Sequence, residues 1–234
     1  MKTSLLIALS GLAFAGTASA SVAGSSTVTA TLTADNHYAL FVGNGDGSAL
    51  SLIGRNEAGE LGSPGAYNWS LPETWTFDVN PGQFIYVMAW DDGGNQGWIG
   101  NFTWGGNQLI SNTTDWVSTV APGANPGMDS PLPTLATLTG YISTATWTTP
   151  GASAPNGTWP WFTVPGVGAT NWIWHDTLGA NSASDSHFAL FRTTAPVIAA
   201  VPEASTYAMM GMGVFMVFGA IRRASRQGVS NRIG

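Results

Sequence analysis

Tryptophan is the residue type in this sequence best suited to binding a neutral ligand, and eleven tryptophans occur among its 234 residues. An indole ring stacks on the apolar face of a pyranose sugar, while carboxylate and amide side chains bind the sugar hydroxyls. Two places combine tryptophan with polar or loop-forming residues. The predicted sugar-binding residues are Trp98 with Asp91, Asp92, Asn95 and Gln96 in the first place, and Trp159 with Trp161 in the second.

Core packing is the competing interpretation of every one of these tryptophans, because some of the eleven must fill the interior. Trp159 and Trp161 are two positions apart, so they would share one face of an extended segment. The loop before Trp98 has a second use, since Asp91 and Asp92 could bind calcium together with nearby carbonyl oxygens. The residue order of an EF-hand is absent, and a solvated acidic turn is the simpler interpretation of that loop.

The motifs of common enzyme classes are missing from the sequence. There is no G-x-S-x-G elbow, H-E-x-x-H zinc motif, P-loop or dinucleotide fingerprint, and the absence of cysteine excludes thiol chemistry. The three histidines, His37, His175 and His187, are scattered and do not suggest a zinc site. Glu73 and Asp92 are carboxylates of the kind that glycosidases use, but nothing in the sequence pairs them. We therefore expect a protein that is not an enzyme, with a polysaccharide hydrolase as the least favoured alternative.

The charge of the chain differs between its ends and its body. Between residues 21 and 200 there are two arginines, twelve acidic residues and no lysine, which gives a formal charge of −10. Such a charge disfavours nucleic acid and anionic lipid surfaces as partners. Neutral sugars and cations remain suitable ligands.

The segments that must position these residues have the pattern of β-strands. Residues 27–33 alternate strictly between threonine and apolar residues, as in a strand with one face in water. The other predicted strands are 37–42, 75–79, 84–90, 98–104, 135–142, 158–164, 171–175 and 187–192. Clusters of Gly, Pro, Asn and Asp separate them, and no segment of the body shows a sustained helical period.

Two further patterns predict how the strands are arranged. Residues 84–90 are apolar at every position, so we expect a central strand that is covered on both faces, in a hairpin with 98–104. The segments 34–41 and 184–191 repeat one pattern, which suggests an early and a late strand brought together in the fold. We give this repeat a topological meaning and no catalytic one.

The two ends of the chain have the features of targeting segments. Lys2, an apolar run over 5–15 and Ala18-Ser19-Ala20 form an export signal with cleavage after Ala20. Near the other end, residues 207–221 are uncharged, and as a helix they would span about 22 Å, less than the roughly 30 Å of a hydrocarbon core. The arginines that follow favour a cytoplasmic C-terminus. The predicted division is a signal peptide (1–20), a β domain (21–196), a linker (197–206), a transmembrane segment (207–221) and a basic tail (222–234).

The C-terminal part resembles the PEP-CTERM sorting signal of exopolysaccharide-producing Gram-negative bacteria. The resemblance lies in a short motif, the apolar run and an arginine cluster, with Ala204 in place of the usual second proline. The motif residues are Val201, Pro202, Glu203, Ala204 and Ser205, and the arginines are Arg222, Arg223 and Arg226. The resemblance implies a transient anchor in the inner membrane, recognition by an exosortase-type enzyme, and delivery to the cell surface or matrix.

The body resembles the galactose-binding-like jelly roll over most of residues 34–192. The resemblance lies in short patterns at 35–41, 69–75, 80–90, 115–116, 169–174 and 191–192. It implies a jelly-roll β-sandwich of the kind found in carbohydrate-binding modules, often with one structural calcium ion. It supports the fold better than the function.

Together these observations predict an all-β protein with a single jelly-roll-like β-sandwich, an N-terminal signal helix and a C-terminal transmembrane helix. We expect an exported, surface- or matrix-associated protein that binds extracellular polysaccharide through its tryptophans. A structural or adhesive matrix protein with protein partners is the alternative.

Overall fold

The described residues of this computed structural model are 24–56, 69–127, 131–176 and 186–199, and they form eleven strands and one helix. The elements are β1 (Ser26–Asp35), β2 (His37–Gly43), β3 (Ser51–Arg55), β4 (Glu73–Val79), β5 (Phe84–Trp90), β6 (Gly97–Trp104), β7 (Asn107–Ile110), β8 (Trp116–Ala124), α1 (Leu135–Thr144), β9 (Gly151–Pro155), β10 (Asn171–Trp174) and β11 (His187–Thr193). The prediction of a mainly β chain is confirmed.

The strands form two antiparallel sheets. Sheet A has the order β4-β1-β6-β10-β9, and β7 also pairs with β6. Sheet B has the order β3-β2-β5-β11-β8. Buried side chains of both sheets meet in one core, in which Val28 and Leu32 of sheet A join Leu40, Val87 and Phe191 of sheet B. The architecture is therefore a β-sandwich, as the sequence predicts.

The outer face of sheet B is apolar and is covered by α1. Phe41, Met88 and Leu190 form a second buried cluster with Leu138 and Ile142 of the helix. The prediction of a strand at 135–142 is wrong. The Thr134 side chain caps the helix by accepting a hydrogen bond from the Thr137 N–H, and the buried helix residues are four positions apart on one face. Burial against sheet B outweighs the local preference of a segment rich in Thr, Ile and Tyr.

The outer face of sheet A is partly covered by residues 156–170, which we call the aromatic loop. Trp161, Val164 and Val167 of this loop pack with Ile99 and Trp172 of the sheet. The prediction of a strand at 158–164 is wrong, because this segment forms turns and irregular structure. The Asn156 side chain replaces strand pairing by accepting a hydrogen bond from the Val164 N–H at 2.9 Å and donating to the Val164 and Gly168 carbonyls.

Strand β5 is central in its sheet, and its residues are buried apart from the half-buried Phe84. The prediction that β5 and β6 form a hairpin is wrong. Strand β5 lies between β2 and β11 in sheet B, whereas β6 belongs to sheet A. The connection between them crosses from one sheet to the other. Two adjacent apolar runs can thus face each other across a sandwich core instead of pairing side by side.

The repeated segments at 34–41 and 184–191 provide β2 and β11, which flank β5 on its two sides. Tyr38 and Ala189 both pair with Ala89, so the two copies are displaced by one residue relative to each other. As a result Tyr38 packs in the core between the sheets, whereas the equivalent Phe188 packs on the outer face of sheet B. The early and late strands are brought together in one sheet, as predicted, on either side of β5. Equivalent residues of the two copies, however, face opposite sides of that sheet.

The targeting segments at residues 1–20 and 197–234 lie outside the described residues, apart from 197–199. The sorting motif, the segment 207–221 and the arginine cluster are therefore expectations from the sequence. Within the described ranges, no helix is both long enough and apolar enough to cross a membrane.

Candidate functional site

Two large apolar side chains of the aromatic loop project into solvent. Trp159 is 79% exposed and Phe162 is 66% exposed, which makes them the most exposed large apolar residues in the described part of the chain. They lie three residues apart in one loop, and exposed aromatic side chains are enriched at binding surfaces.

Trp161, between these two residues, fixes the loop to the sandwich. Its ring is buried and stacks on Trp172 with 4.4 Å between the ring centroids. Its Nε1 donates a hydrogen bond of 2.6 Å to Asp35 Oδ2 at the end of β1. Trp161 therefore holds the loop and is not available to stack on a ligand, so its prediction as a sugar-binding residue is corrected.

Asp35 is the polar contact beneath the aromatic loop. Burial raises the pKa of its carboxyl group, and the hydrogen bond from Trp161 opposes that rise. Its other oxygen, Oδ1, accepts a hydrogen bond of 3.1 Å from Asn36 Nδ2. Both oxygens thus have protein partners, and the carboxyl group holds the loop in place.

The acidic loop, residues 91–96, carries the four polar residues of the first predicted set, and two of these four are buried. Asp91 Oδ2 accepts a hydrogen bond from the Gly93 N–H at 2.8 Å, and the Asp91 carbonyl accepts one from Asn125 Nδ2 at 2.6 Å. Gln96 is fully buried at the start of β6. Asp91 holds the shape of the loop, Gln96 is enclosed, and neither side chain can reach a ligand at the surface, so this part of the prediction is corrected.

Asp92 and Asn95 remain accessible. The Asp92 side chain is 34% exposed, and its Oδ2 lies 2.6 Å from Nε2 of the buried His37. His37 in turn stacks on Trp90 with 5.2 Å between the ring centroids. Asn95 is half-buried. Both side chains keep polar surface that a ligand hydroxyl could reach.

Trp98 belongs to the core, which corrects its prediction as a sugar-binding residue. It is fully buried, and its ring centroid lies 4.8 Å from that of Trp116 and 5.6 Å from that of Phe191. The signal was present in the sequence, since Trp98 alternates in step with Phe102 on one face of β6. That face points to the interior.

Gly97, which follows the acidic loop, lies against the Trp161 ring. A methyl group at this position would lie 3.1 Å from the Trp172 ring and 3.2 Å from the Trp161 ring, which is tighter than an ordinary contact. Trp161 and the acidic loop therefore lie at the same end of β6. The accessible members of the two predicted sets are Trp159, Asp92 and Asn95. Phe162 was missed by sequence reasoning, although it directly follows the Trp159-Pro160-Trp161 run.

A calcium site at Asp91 and Asp92 stays a prediction. Their carboxylates bind different partners, the Gly93 N–H and the His37 ring. Among the described residues, no group of three or more His, Asp or Glu side chains is arranged to hold a metal ion.

Comparison of the chain with protein-family models, curated proteins and solved structures gives no significant match. The candidate site therefore stands on its own geometry.

Proposed function

We propose that this chain is an exported, non-enzymatic protein of the cell surface or matrix that binds extracellular polysaccharide through Trp159 and Phe162. In this proposal a jelly-roll-like sandwich presents the aromatic loop, and an exosortase-type system sorts the protein by its C-terminal segment after a transient stay in the inner membrane. The sequence features of the two termini support the sorting step.

The observation that carries the proposal is the exposure of Trp159 on a loop that the buried Trp161 holds in place. A loop that is already fixed loses little backbone entropy when a sugar ring stacks on an indole that it presents. The accessible polar side chains of Asp92 and Asn95 belong to the acidic loop, which leads into Gly97 next to the Trp161 ring. The charge of the body, −10, fits a neutral glycan better than an anionic one.

The test is retention of the full chain on immobilised polysaccharides, including the exopolysaccharide of the producing cells. The variants are Trp159→Ala and Phe162→Ala, and the control is Leu71→Ala, which also truncates an exposed apolar side chain. We expect Trp159→Ala to weaken retention about tenfold or more and Leu71→Ala to leave it unchanged. A folded wild-type chain that no polysaccharide retains would contradict the proposal.

A structural or adhesive role with protein partners is the second candidate, and Phe162 is the observation that favours it. Phe162 offers 66% of its surface without any polar group, which suits an apolar protein contact as well as a sugar. Assembly that grows with protein concentration in the absence of glycan, and that is lost in Phe162→Ala, would favour this role. Equal assembly of Phe162→Ala and wild type would exclude Phe162 as its cause.

A further inference from the structure

A chain of three hydrogen bonds connects the aromatic loop to the acidic loop. Trp161 Nε1 of the aromatic loop donates to Asp35 Oδ2 at 2.6 Å. Asn36 Nδ2 donates to the other oxygen of the same carboxyl group, Asp35 Oδ1, at 3.1 Å. The N–H of Asp92 in the acidic loop donates to Asn36 Oδ1 at 2.9 Å. Because each bond shares a side chain with the next, displacement of one loop strains the contacts of the other.

Asn36 is the central residue of this chain of hydrogen bonds. It is the single residue between β1 of sheet A and β2 of sheet B. Its side-chain amide donates toward one loop and accepts from the other, which a carboxylate or an aliphatic side chain cannot do. Its backbone is held as well, because the Asn36 carbonyl accepts a hydrogen bond of 2.8 Å from Nδ2 of the buried Asn56. The amide therefore bridges the two loops from a fixed position.

Both ends of this bridge lie next to side chains that a ligand can reach. In the aromatic loop, Trp161 precedes Phe162 and lies two residues after Trp159, and both of these rings are exposed. In the acidic loop, the bridge ends on Asp92 itself, whose partly exposed carboxylate is also held by His37 Nε2 at 2.6 Å. The bridge thus links an exposed aromatic surface to an accessible carboxylate.

We propose that Asn36 is a positioning residue that holds the aromatic loop and the acidic loop as two parts of one polysaccharide site. Asn36 itself does not contact the ligand. Trp159 stacks on a sugar ring, and Asp92 and Asn95 bind hydroxyl groups of the same polysaccharide chain. The choice of ligand rests on the proposed function, whereas the coupling of the loops rests on the hydrogen bonds.

The first test measures hydrogen exchange by NMR without glycan, with the full chain in a detergent that has no sugar headgroup. Asn36→Leu keeps a side chain of similar size without the amide, and Asn36→Ala removes the side chain beyond its β-carbon. We expect both variants to speed exchange of the Trp161 indole N–H and the Asp92 backbone N–H about tenfold or more. Asn44→Ala, which removes an amide that donates to Ser48 Oγ, is the control and should change neither rate.

The Trp116 indole N–H, which donates to the Ile110 carbonyl at 2.9 Å, is the internal reference in the same spectra. We expect its exchange rate to stay within about twofold of the wild-type rate. Equal acceleration of all three N–H groups would show that Asn36 only supports the global stability, and it would overturn the inference. Unchanged exchange of the Trp161 indole in both Asn36 variants would overturn it as well.

The second test measures affinity for the polysaccharide that retains the wild type. The double variant Asp92→Ala/Asn95→Ala removes the accessible polar side chains of the acidic loop. We expect it to bind about fivefold more weakly than the wild type, but to lose less than about twofold when it is introduced into Asn36→Leu. If Asn36 had only a structural role, the double variant would have the same effect in both backgrounds, and that result would overturn the inference.

The two tests separate this inference from the proposed function. A folded wild type that no polysaccharide retains, together with faster exchange of the Trp161 indole in Asn36→Leu, would contradict the proposed function and leave the coupling of the loops standing. Loss of retention in Trp159→Ala, together with wild-type affinity of the Asp92→Ala/Asn95→Ala variant, would support the proposed function and overturn the shared site.

Discussion

The two outer faces of the sandwich have different chemistry. The outer face of sheet B is apolar, with Phe41 and Met88 buried beneath α1. The outer face of sheet A carries exposed threonines such as Thr29, which pairs with Thr76 on one side and Thr103 on the other. Among the described residues, the aromatic loop and Trp69 cover only part of this face, and the loop carries the exposed rings. The helix completes a core, whereas the aromatic loop both packs on the sheet and presents a surface.

This difference shows that position in a loop does not tell which tryptophan side chains are accessible to a ligand. Trp161 and Trp159 are two residues apart in the same loop, yet one is buried and the other is 79% exposed. If Trp161 packs the aromatic loop and α1 packs on sheet B, truncation of their buried side chains should reduce the free energy of unfolding.

Trp161→Ala should have the largest effect on stability. It removes a fully buried ring, its stacking on Trp172 and its hydrogen bond to Asp35. We expect the free energy of unfolding to fall by about 3–5 kcal/mol, measured by urea denaturation followed by circular dichroism. A loss below about 1 kcal/mol would show that the loop does not depend on this residue.

Leu138→Ala should have the next largest effect, because it removes the contact of α1 with the outer face of sheet B. Leu138 is 1% exposed in that contact. We expect a loss of about 2–4 kcal/mol in the same denaturation experiment. Leu135→Ala, on the same helix with its side chain 44% exposed, is the matched control and should cost less than about 0.5 kcal/mol. Equal losses for the two variants would contradict the docking of this face of the helix.

His175→Gln should have a smaller effect that depends on pH. His175 follows β10 in sheet A, and burial lowers its pKa from the ordinary value of 6.5, although the nearby Asp176 opposes the shift. The folded state therefore binds the proton less well than the unfolded state. Stability should fall as the pH drops below about 6.5, and His175→Gln should reduce that fall. The midpoints of thermal unfolding of both proteins, measured between about pH 7 and pH 5, report this fall in stability. Parallel pH profiles of the two proteins would contradict the assignment of the fall to His175.

Part of this fold could be predicted from the sequence. The alternation in β1 and the apolar run of β5 identify a half-exposed strand and a central one, because side-chain direction follows directly from the period of a strand. Helix α1 could not be predicted in this way. Its segment is short and rich in residues that favour strands, and the apolar face of sheet B that stabilises it comes from distant parts of the chain.

The sequence predicted tryptophan as the residue type of the candidate site, but it did not predict which tryptophans are exposed. Loop-forming residues beside tryptophan directed attention to Trp159, which is exposed, and to the acidic loop, in which Asp92 is exposed and Asn95 half-buried. The chemistry of an indole is the same in a core and on a surface, so Trp98 and Trp161 could not be separated from Trp159 by type. For Trp98 the alternation with Phe102 was an available signal, and its packing on Trp116 and Phe191 shows that this face is the interior one. For Trp161 the separation required its packing partner, Trp172.

The measurement that tests the central claim most directly is the affinity of the full chain for the exopolysaccharide of its producing cells. It compares the wild type with Trp159→Phe and Trp159→Ala, and the thermal midpoint of each protein is recorded alongside. We predict that affinity decreases in that order while the midpoints stay equal, because Trp159 is exposed and phenylalanine keeps a smaller stacking surface. Equal affinity of all three folded proteins would contradict the assignment of Trp159 as the residue that binds the glycan.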